Sequence, residues 1–200
     1  AVTLTLVDQS TDLMQHRESI SALFREAFDR DLDPATWEWL FLHNPNGPSQ
    51  VALWHEGGRL VGHIAFVPFC FSNGVNTDIA YRSGTVMISS SAQSPGLLAV
   101  LGQALQSRCA DQGRTVFGFP NANSWQGFKR FLRWGISPMA LVDLPGATIL
   151  GITEQLFPEA ASSWRLDMRD AEQRRWRLAR PRVPYVTMPG LVTSTHEGVE

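Results

Sequence analysis

Residues 77–98 read TDIAYRSGTVMISSSAQSPGLL, a strand-like run as far as Ser89, a turn of small residues, and a helix that opens at Pro95-Gly96. A helix start exposes backbone N–H groups with no partner inside the helix, together with the positive end of the helix dipole. A glycine-containing turn placed there is an anion cradle, and phosphate is its natural guest.

Upstream, VALWHE from Val51, RLVGHIAFVPFCF from Arg59 and the run from Thr77 to Ser89 are separated by Gly57-Gly58 and Asn73-Gly74. Glycine and asparagine tolerate the positive φ angles of tight hairpin turns, so the three runs predict an antiparallel meander. Before it, Val2 to Val7 alternates like a half-buried strand, and Asp12 to Asp29 carries Ile20, Leu23, Phe24, Ala27 and Phe28 at helical spacing. Asp33-Pro34 reads as cap and first turn of a short helix, Trp37 to Leu42.

Downstream, Leu97, Leu98, Leu101, Ala104, Leu105 and Cys109 share one face of a helix that Gly113 stops. Arg114 to Phe119 is β-prone, and Asn123 to Trp134 predicts a second helix carrying Trp125, Phe128, Phe131 and Leu132. Beyond Gly135, Met139 to Leu144 and Ala147 to Ile152 predict a hairpin over Pro145-Gly146. Asp170 to Leu178 predicts a helix, and Pro189 to Glu200 a disordered tail. The spacing Asp33-x5-Trp39-x5-Pro45 is echoed by Asp170-x5-Trp176-x4-Pro181, as if a second copy of the opening segment began there.

The order β α α β β β α β α gives an α/β (α+β) fold, a central mixed, mostly antiparallel sheet flanked by helices. The 200 residues, 44% hydrophobic, suit one domain over 1–150, an extension over 151–188 that packs on it or between chains, and a tail over 189–200. With a net charge of -2 and the one basic run, Arg169 to Arg182, broken by acids and apolar residues, nucleic acid is excluded as a partner. Cys70 and Cys109 fit neither a zinc nor a redox spacing and read as reduced thiols. No metal-ligand spacing appears. The start AVTLTLVDQS lacks the features of a signal peptide and no apolar stretch reaches membrane-spanning length, so a cytoplasmic protein without membrane contact is expected.

Three antiparallel strands, then Gln93-Ser94-Pro95-Gly96-Leu97-Leu98, then a helix, resemble the GNAT N-acetyltransferase superfamily, whose diphosphate loop is usually Gln/Arg-x-x-Gly-x-Gly/Ala. Leu98 departs from that pattern. The segment GFPNANSWQGFKRFLRWGI, Gly118 to Ile136, is similar to the Gly-Phe-Pro-Asn-x-x-Ser segment of a GNAT subgroup, and WEWLFLHNPNG to that subgroup's Trp-x-x-x-x-x-Pro-x-Gly segment. The resemblance spans roughly Val2 to Asp143. It implies an acyl-CoA (acetyl-CoA) co-substrate, with Val86, Met87 and Ile88 pairing with the pantetheine arm. Gln93, Ser94, Pro95, Gly96, Leu97 and Leu98 would hold the diphosphate, and Asn121, Asn123 and Ser124 would line the opposite wall. It also implies direct transfer of an acetyl group to a small amine.

The usual proton donor of the family is a tyrosine about four residues before the closing glycine, where this chain has Phe131, which cannot donate. The two tyrosines, Tyr81 and Tyr185, lie elsewhere. Catalytic candidates are His63, Asp78, Tyr81, Asn123 and Ser124; His63 has the plainer reading of a hydrogen-bonded strand histidine, and Asp78 that of an aspartate serving the hairpin turn. Trp125, at the mouth of the expected cleft, is the exception among tryptophans that otherwise read as core. Ser89-Ser90-Ser91 reads as a flexible, hydrogen-bonding lead-in to the cradle. The alternative to an acyltransferase is a weak or inactive CoA-binding regulatory module of the same fold; an α/β interaction domain unrelated to CoA is a third. A second copy of the chain is a candidate partner.

Overall fold

The computed structural model describes residues 1–92, 94, 96–135, 164–167, 169–188 and 191–194. Strand β1 (Val2–Val7) leads into helices α1 (Ser10–Gln15), α2 (Arg17–Phe28) and α3 (Pro34–Phe41). The single helix expected from Asp12 is thus two, broken at His16. The meander follows as β2 (Gln50–Glu56), β3 (Arg59–Ser72) and β4 (Thr77–Ile88), then α4 (Leu97–Asp111), β5 (Thr115–Phe117) and α5 (Ala122–Leu132). After the expected hairpin of 139–152, which lies outside the described residues, come β6 (Arg165–Leu166), α6 (Ala171–Leu178) and a hairpin of β7 (Tyr185–Met188) and β8 (Leu191–Ser194). Part of the expected disordered tail is therefore strand: Leu191 to Ser194 pair with Tyr185 to Met188.

The main sheet runs β1-β2-β3-β4-β5, antiparallel except for the parallel pair β4 and β5, with β6 pairing the far end of β3. Helices cover both faces, so the expected mixed, mostly antiparallel α/β sheet is what forms. Gly57 and Gly58 both take positive φ, 58° and 85°, which closes the β2–β3 turn in two residues. At the β3–β4 turn, the Asn73 carboxamide oxygen accepts from the Val75 and Asn76 N–H groups.

Alternation along β2 and β3 divides the core. Val51, Leu53 and Ala65 pack against Leu13, Ile20 and Leu23 of α1 and α2 and Trp37 and Phe41 of α3. Ala52, Ile64 and Phe66 face Leu101, Leu105 and Cys109 of α4. A third cluster joins Val67 and Phe69 of β3 to Trp39 of α3 and Trp176 of α6.

The sequence echo has a physical counterpart in that third cluster. Asp33 caps α3 by accepting from the Thr36 N–H at 2.9 Å, and Asp170 caps α6 by accepting from the Gln173 N–H at 2.6 Å. Trp39 and Trp176, each six residues after its capping aspartate, stack with centroids 4.8 Å apart and planes 10° apart. Trp39 Nε1 donates to the Trp176 carbonyl at 2.7 Å, and Trp176 Nε1 donates to the Trp39 carbonyl at 2.9 Å. Each helix therefore gives the other what it receives.

Burying both rings and satisfying both indole N–H groups makes this pair one fastening of α6; the buried Gln173, exchanging bonds with the Cys70 N–H and carbonyl, is another. Trp176→Ala is expected to cost about 3–5 kcal/mol of unfolding free energy, seen as a lower denaturant midpoint. Trp39→Ala should cost a similar amount, and the double substitution less than the sum, because both singles remove the same stack. Additive losses would show that the pair is not a tie.

Candidate active site

β4 is held by β3 from Thr77 to Gly84 and again at Met87 and Ile88, but by β5 at only three positions: Ala80 with Thr115, Tyr81 with Val116, and Arg82 with Phe117. Past Arg82, β4 runs on to Ile88, while the other chain leaves at Gly118 for α5. The two strands splay, opening a cavity of about 540 Å³. One wall is Ser83, Gly84, Thr85 and Val86; the other is Gly118 to Asn121 with Ser124; Phe24, Phe28 and Phe128 close it. Gly118 permits the close approach at the crotch of the splay, since a Cβ there would meet a Trp134 ring atom at 2.9 Å and Ser83 Cβ at 3.3 Å.

The β4 wall is irregular. His63 pairs with Met87 and Ala65 with Gly84, so Thr85 and Val86 together oppose the single residue Ile64. This is a β-bulge, and such an insertion leaves backbone groups outside the ladder. Thr85 sits at φ 46°, a left-handed conformation that costs a β-branched residue on the order of 1–3 kcal/mol.

His63 holds the strained residue in place. Its ring is fully buried, edge-on to Phe41, with Nδ1 2.7 Å from the Thr85 carbonyl oxygen. Burial pushes its pKa down to about 4, outweighing the opposing pull of backbone hydrogen bonds. The ring is therefore neutral at pH 7, and because a carbonyl only accepts, Nδ1 carries the proton and donates it to Thr85. His63 is not among the cavity's lining residues, and its Nε2 is buried without a partner. It positions the bulge and is not placed to act as a base on a substrate in the gap.

The other expected site residues divide. Val86, Asn121 and Ser124 line the gap. Met87 is buried in the α1–α2 core and only its neighbour Ile88 is exposed. Asn121 is the N-cap of α5, accepting from the Ser124 N–H at 2.9 Å and the Ser124 hydroxyl at 3.0 Å, so Asn-x-x-Ser is at least a capping motif. The Asn123 side chain, Gln93 and Pro95 lie outside the described residues. Tyr81 points away from the gap, packed with Ile64 and Leu101 against α4, where burial pushes its pKa up. Asp78 is ion-paired with Arg114 at 2.6 Å. Phe131, on the last turn of α5, does not line the gap.

The cradle residues form a separate corner. Gly96 takes φ 72° and its carbonyl accepts from the Ala99 and Val100 N–H groups, leaving the Leu97 and Leu98 N–H groups ahead of the first helical bond. The Ser94 N–H is held by Glu56 Oε1 at 3.0 Å. Leu98, the departure from the family pattern, lies against α5 where a Cβ on Gly127 would meet its Cδ2 at 2.4 Å. The missing side chain at Gly127 makes the room.

The serine lead-in is pinned and not free. The Ser89 hydroxyl donates to Glu26 Oε1 at 2.5 Å, the Ser90 N–H donates to the same oxygen at 3.2 Å, and Arg59 bridges Glu26 Oε2 at 2.8 Å. The Ser89 hydroxyl first, then the Arg59 charge, hold the Glu26 carboxyl below the usual carboxylate range against the opposing effect of burial.

Sequence reading missed Ser83, Gly84, Thr85 and Gly118. The available signal was Gly84 inside a strand pattern, which marks a bulge or a close backbone approach.

No protein-family model and no curated protein sequence matches the chain. Solved structures do. A GCN5-related N-acetyltransferase from Ralstonia eutropha superposes with a TM-score of 0.51 at 18% identity, over 74% of this chain and 99% of that one. An aminoglycoside N-acetyltransferase in complex with CoA gives 0.52 at 12% identity, over 73% and 95%. A probable N-acyltransferase from Enterococcus faecalis gives 0.53 at 12% identity, over 65% of this chain and 31% of that longer one. The fold is that of the GNAT acetyltransferases.

His63 gives a pH test. Its folded pKa, about 4, lies below the unfolded value near 6.5, so the stability tied to its neutral form is full above pH 6.5 and lost as pH falls toward 4. Over that window the wild type should lose roughly 3 kcal/mol more than His63→Leu, measured by urea unfolding at each pH. Parallel pH profiles would show that His63 is not buried and neutral.

Proposed function

We propose that this chain is an acyl-CoA-dependent N-acyltransferase, moving an acetyl group from acetyl-CoA to a small amine by direct attack. The observation that carries the reading is the splayed gap with a bulge on its β4 wall, in a fold shared with acetyltransferases of which one is described in complex with CoA.

In this reading the pantetheine arm lies along Val86 to Ile88, and the diphosphate meets the start of α4 at Gly96, Leu97 and Leu98. The amine nitrogen attacks the thioester carbonyl carbon, the C–S bond breaks, and the amine's surplus proton goes to water. Bulge N–H groups at Thr85 and Val86, freed from the ladder, supply donors for the carbonyl oxygen. The leaving thiolate of CoA, a weak base, departs as such and takes its proton from water, so that the amine's proton and the thiolate's proton are both exchanged with solvent. Holding the two reactants in one orientation supplies much of the acceleration.

Two observations favour a second reading, a CoA-binding module without turnover. Among the described residues no tyrosine hydroxyl lines the gap, and Glu56 already occupies the Ser94 N–H.

Gly96→Glu tests the first step. Space around Gly96 is open, so the carboxylate meets no clash, only the strain of a side chain at φ 72°, and it repels the diphosphate. Calorimetry with acetyl-CoA is expected to show at least a tenfold loss of affinity, while Gly96→Asn, which tolerates the left-handed backbone, keeps most of it. Thiol release over a panel of amines then separates the readings. Binding without release from any amine supports the module, and no binding at millimolar acetyl-CoA sinks both.

A further inference from the structure

A second cavity, about 690 Å³, lies on the sheet beside the gap and shares Phe119 with it. Its walls are aromatic and aliphatic: Phe69, Phe71, Phe117, Phe119, Trp164 and Leu166. The rings interlock edge to face, Phe71 to Phe117 at 5.5 Å and Phe117 to Phe119 at 6.1 Å. Phe119 and Trp164 are nonetheless 65% and 50% exposed, so apolar surface is left uncovered at the mouth.

The charge in this cavity is one-sided. Arg82 projects into it from β4, its guanidinium 5.2 Å from the Phe69 centroid, with Nε buried and unpartnered. Burial, and then the like charges of Arg177 and Arg180, pull its pKa down, yet a guanidinium stays protonated. Arg177 lines the same space. The one carboxylate among the described lining residues is Asp78, which is engaged by Arg114 at 2.6 Å. A half-buried cation with no counter-ion among the described residues and without full solvation is unfavourable unless an anion arrives to meet it.

Arg82 immediately precedes Ser83, the first residue of the gap wall, and it is the last position at which β4 and β5 pair. A molecule anchored at Arg82 therefore has its other end within reach of the gap. We propose that this cavity receives the acceptor, and that the acceptor is an amine with a carboxylate and an apolar body, of the class of a hydrophobic amino acid, held at its carboxylate by Arg82. The inference rests on the acyl-transfer reading above. A guanidinium suits the task, because its planar fork bonds a carboxylate through two parallel hydrogen bonds. In the reaction the acceptor nitrogen gains the acyl carbon and releases a proton to solvent, while CoA leaves as thiolate and is protonated; the carboxylate takes no part in bond changes.

The test is calorimetry with L-phenylalanine and L-phenylalaninamide, which share a body and an amine and differ in the carboxylate, with acetyl-CoA titrated separately. Wild type is expected to bind phenylalanine at least tenfold more tightly than the amide. Arg82→Met is expected to erase that difference and Arg82→Lys to retain part of it, with acetyl-CoA affinity unchanged in both and a melting temperature that does not fall. Equal affinity for the two ligands in wild type, or undiminished phenylalanine binding by Arg82→Met, overturns the assignment. Binding of phenylalanine without any binding of acetyl-CoA overturns its role as acceptor and the transfer reading together. Acetyl-CoA binding with thiol release only from uncharged amines leaves that reading standing and overturns this one.

Discussion

Everything at the centre of this molecule depends on β4 being held on one side and released on the other. β3 pairs it from Thr77 to Gly84 and again at Met87 and Ile88, while β5 pairs it for three residues and stops. Had β5 continued, the backbone of Ser83 to Val86 would be spent on a ladder and no gap would exist. The release is enforced from both sides. Pro120 has no N–H to give a strand, Asn121 begins a helix, and the side chain of Trp134 occupies the space where residue 118 would carry a Cβ. On the β4 side, the bulge at Thr85 turns the wall away from its partner, and the buried His63 offsets part of the cost of that turn.

α4 and α5 are the frame on which the far wall rests, and they approach through two reciprocal exchanges of volume. Leu98 of α4 occupies the space a side chain on Gly127 would need, and Leu132 of α5 occupies the space a side chain on Gly102 would need, its Cδ atoms 2.7 Å from where that Cβ would lie. The departure at Leu98 therefore reflects volume moved from one helix to the other. A residue that looks wrong in a linear motif is compensated by one 29 positions away, and only packing reveals it.

Much of the fold was legible because its signals are local. Gly57-Gly58 and Asn73-Gly74 announce their turns through φ alone, Asp33-Pro34 announces a cap, and the stripe from Leu97 to Cys109 announces the buried face of α4. The site was legible only in part. Val86, Asn121 and Ser124 reach the gap, but the bulge, the neutral His63 and the pinning of Ser89 by Glu26 are pairings between residues 22 and 63 positions apart, for which no local pattern exists. The echo of Asp33 in Asp170 was visible as spacing, yet its meaning lay in two indole rings 137 positions apart exchanging hydrogen bonds.

That no tyrosine is found among the described residues of the gap bears on the proposed chemistry less than it first suggests. A thiolate is a good leaving group, since an ordinary thiol ionises at a pKa near 8.5, only about 1.5 units above neutrality. Its departure therefore asks little of a proton donor, whereas an alkoxide would ask much. The demanding part of acyl transfer to an amine is to bring a neutral nitrogen onto the carbonyl while charge builds on the oxygen, which calls for positioning and for fixed donors. The bulge has donors to offer, and the cation at Arg82 offers a place from which an amine can be held. On the proposed reading, Phe131 on the last turn of α5 stands where the chemistry has no need of a proton donor.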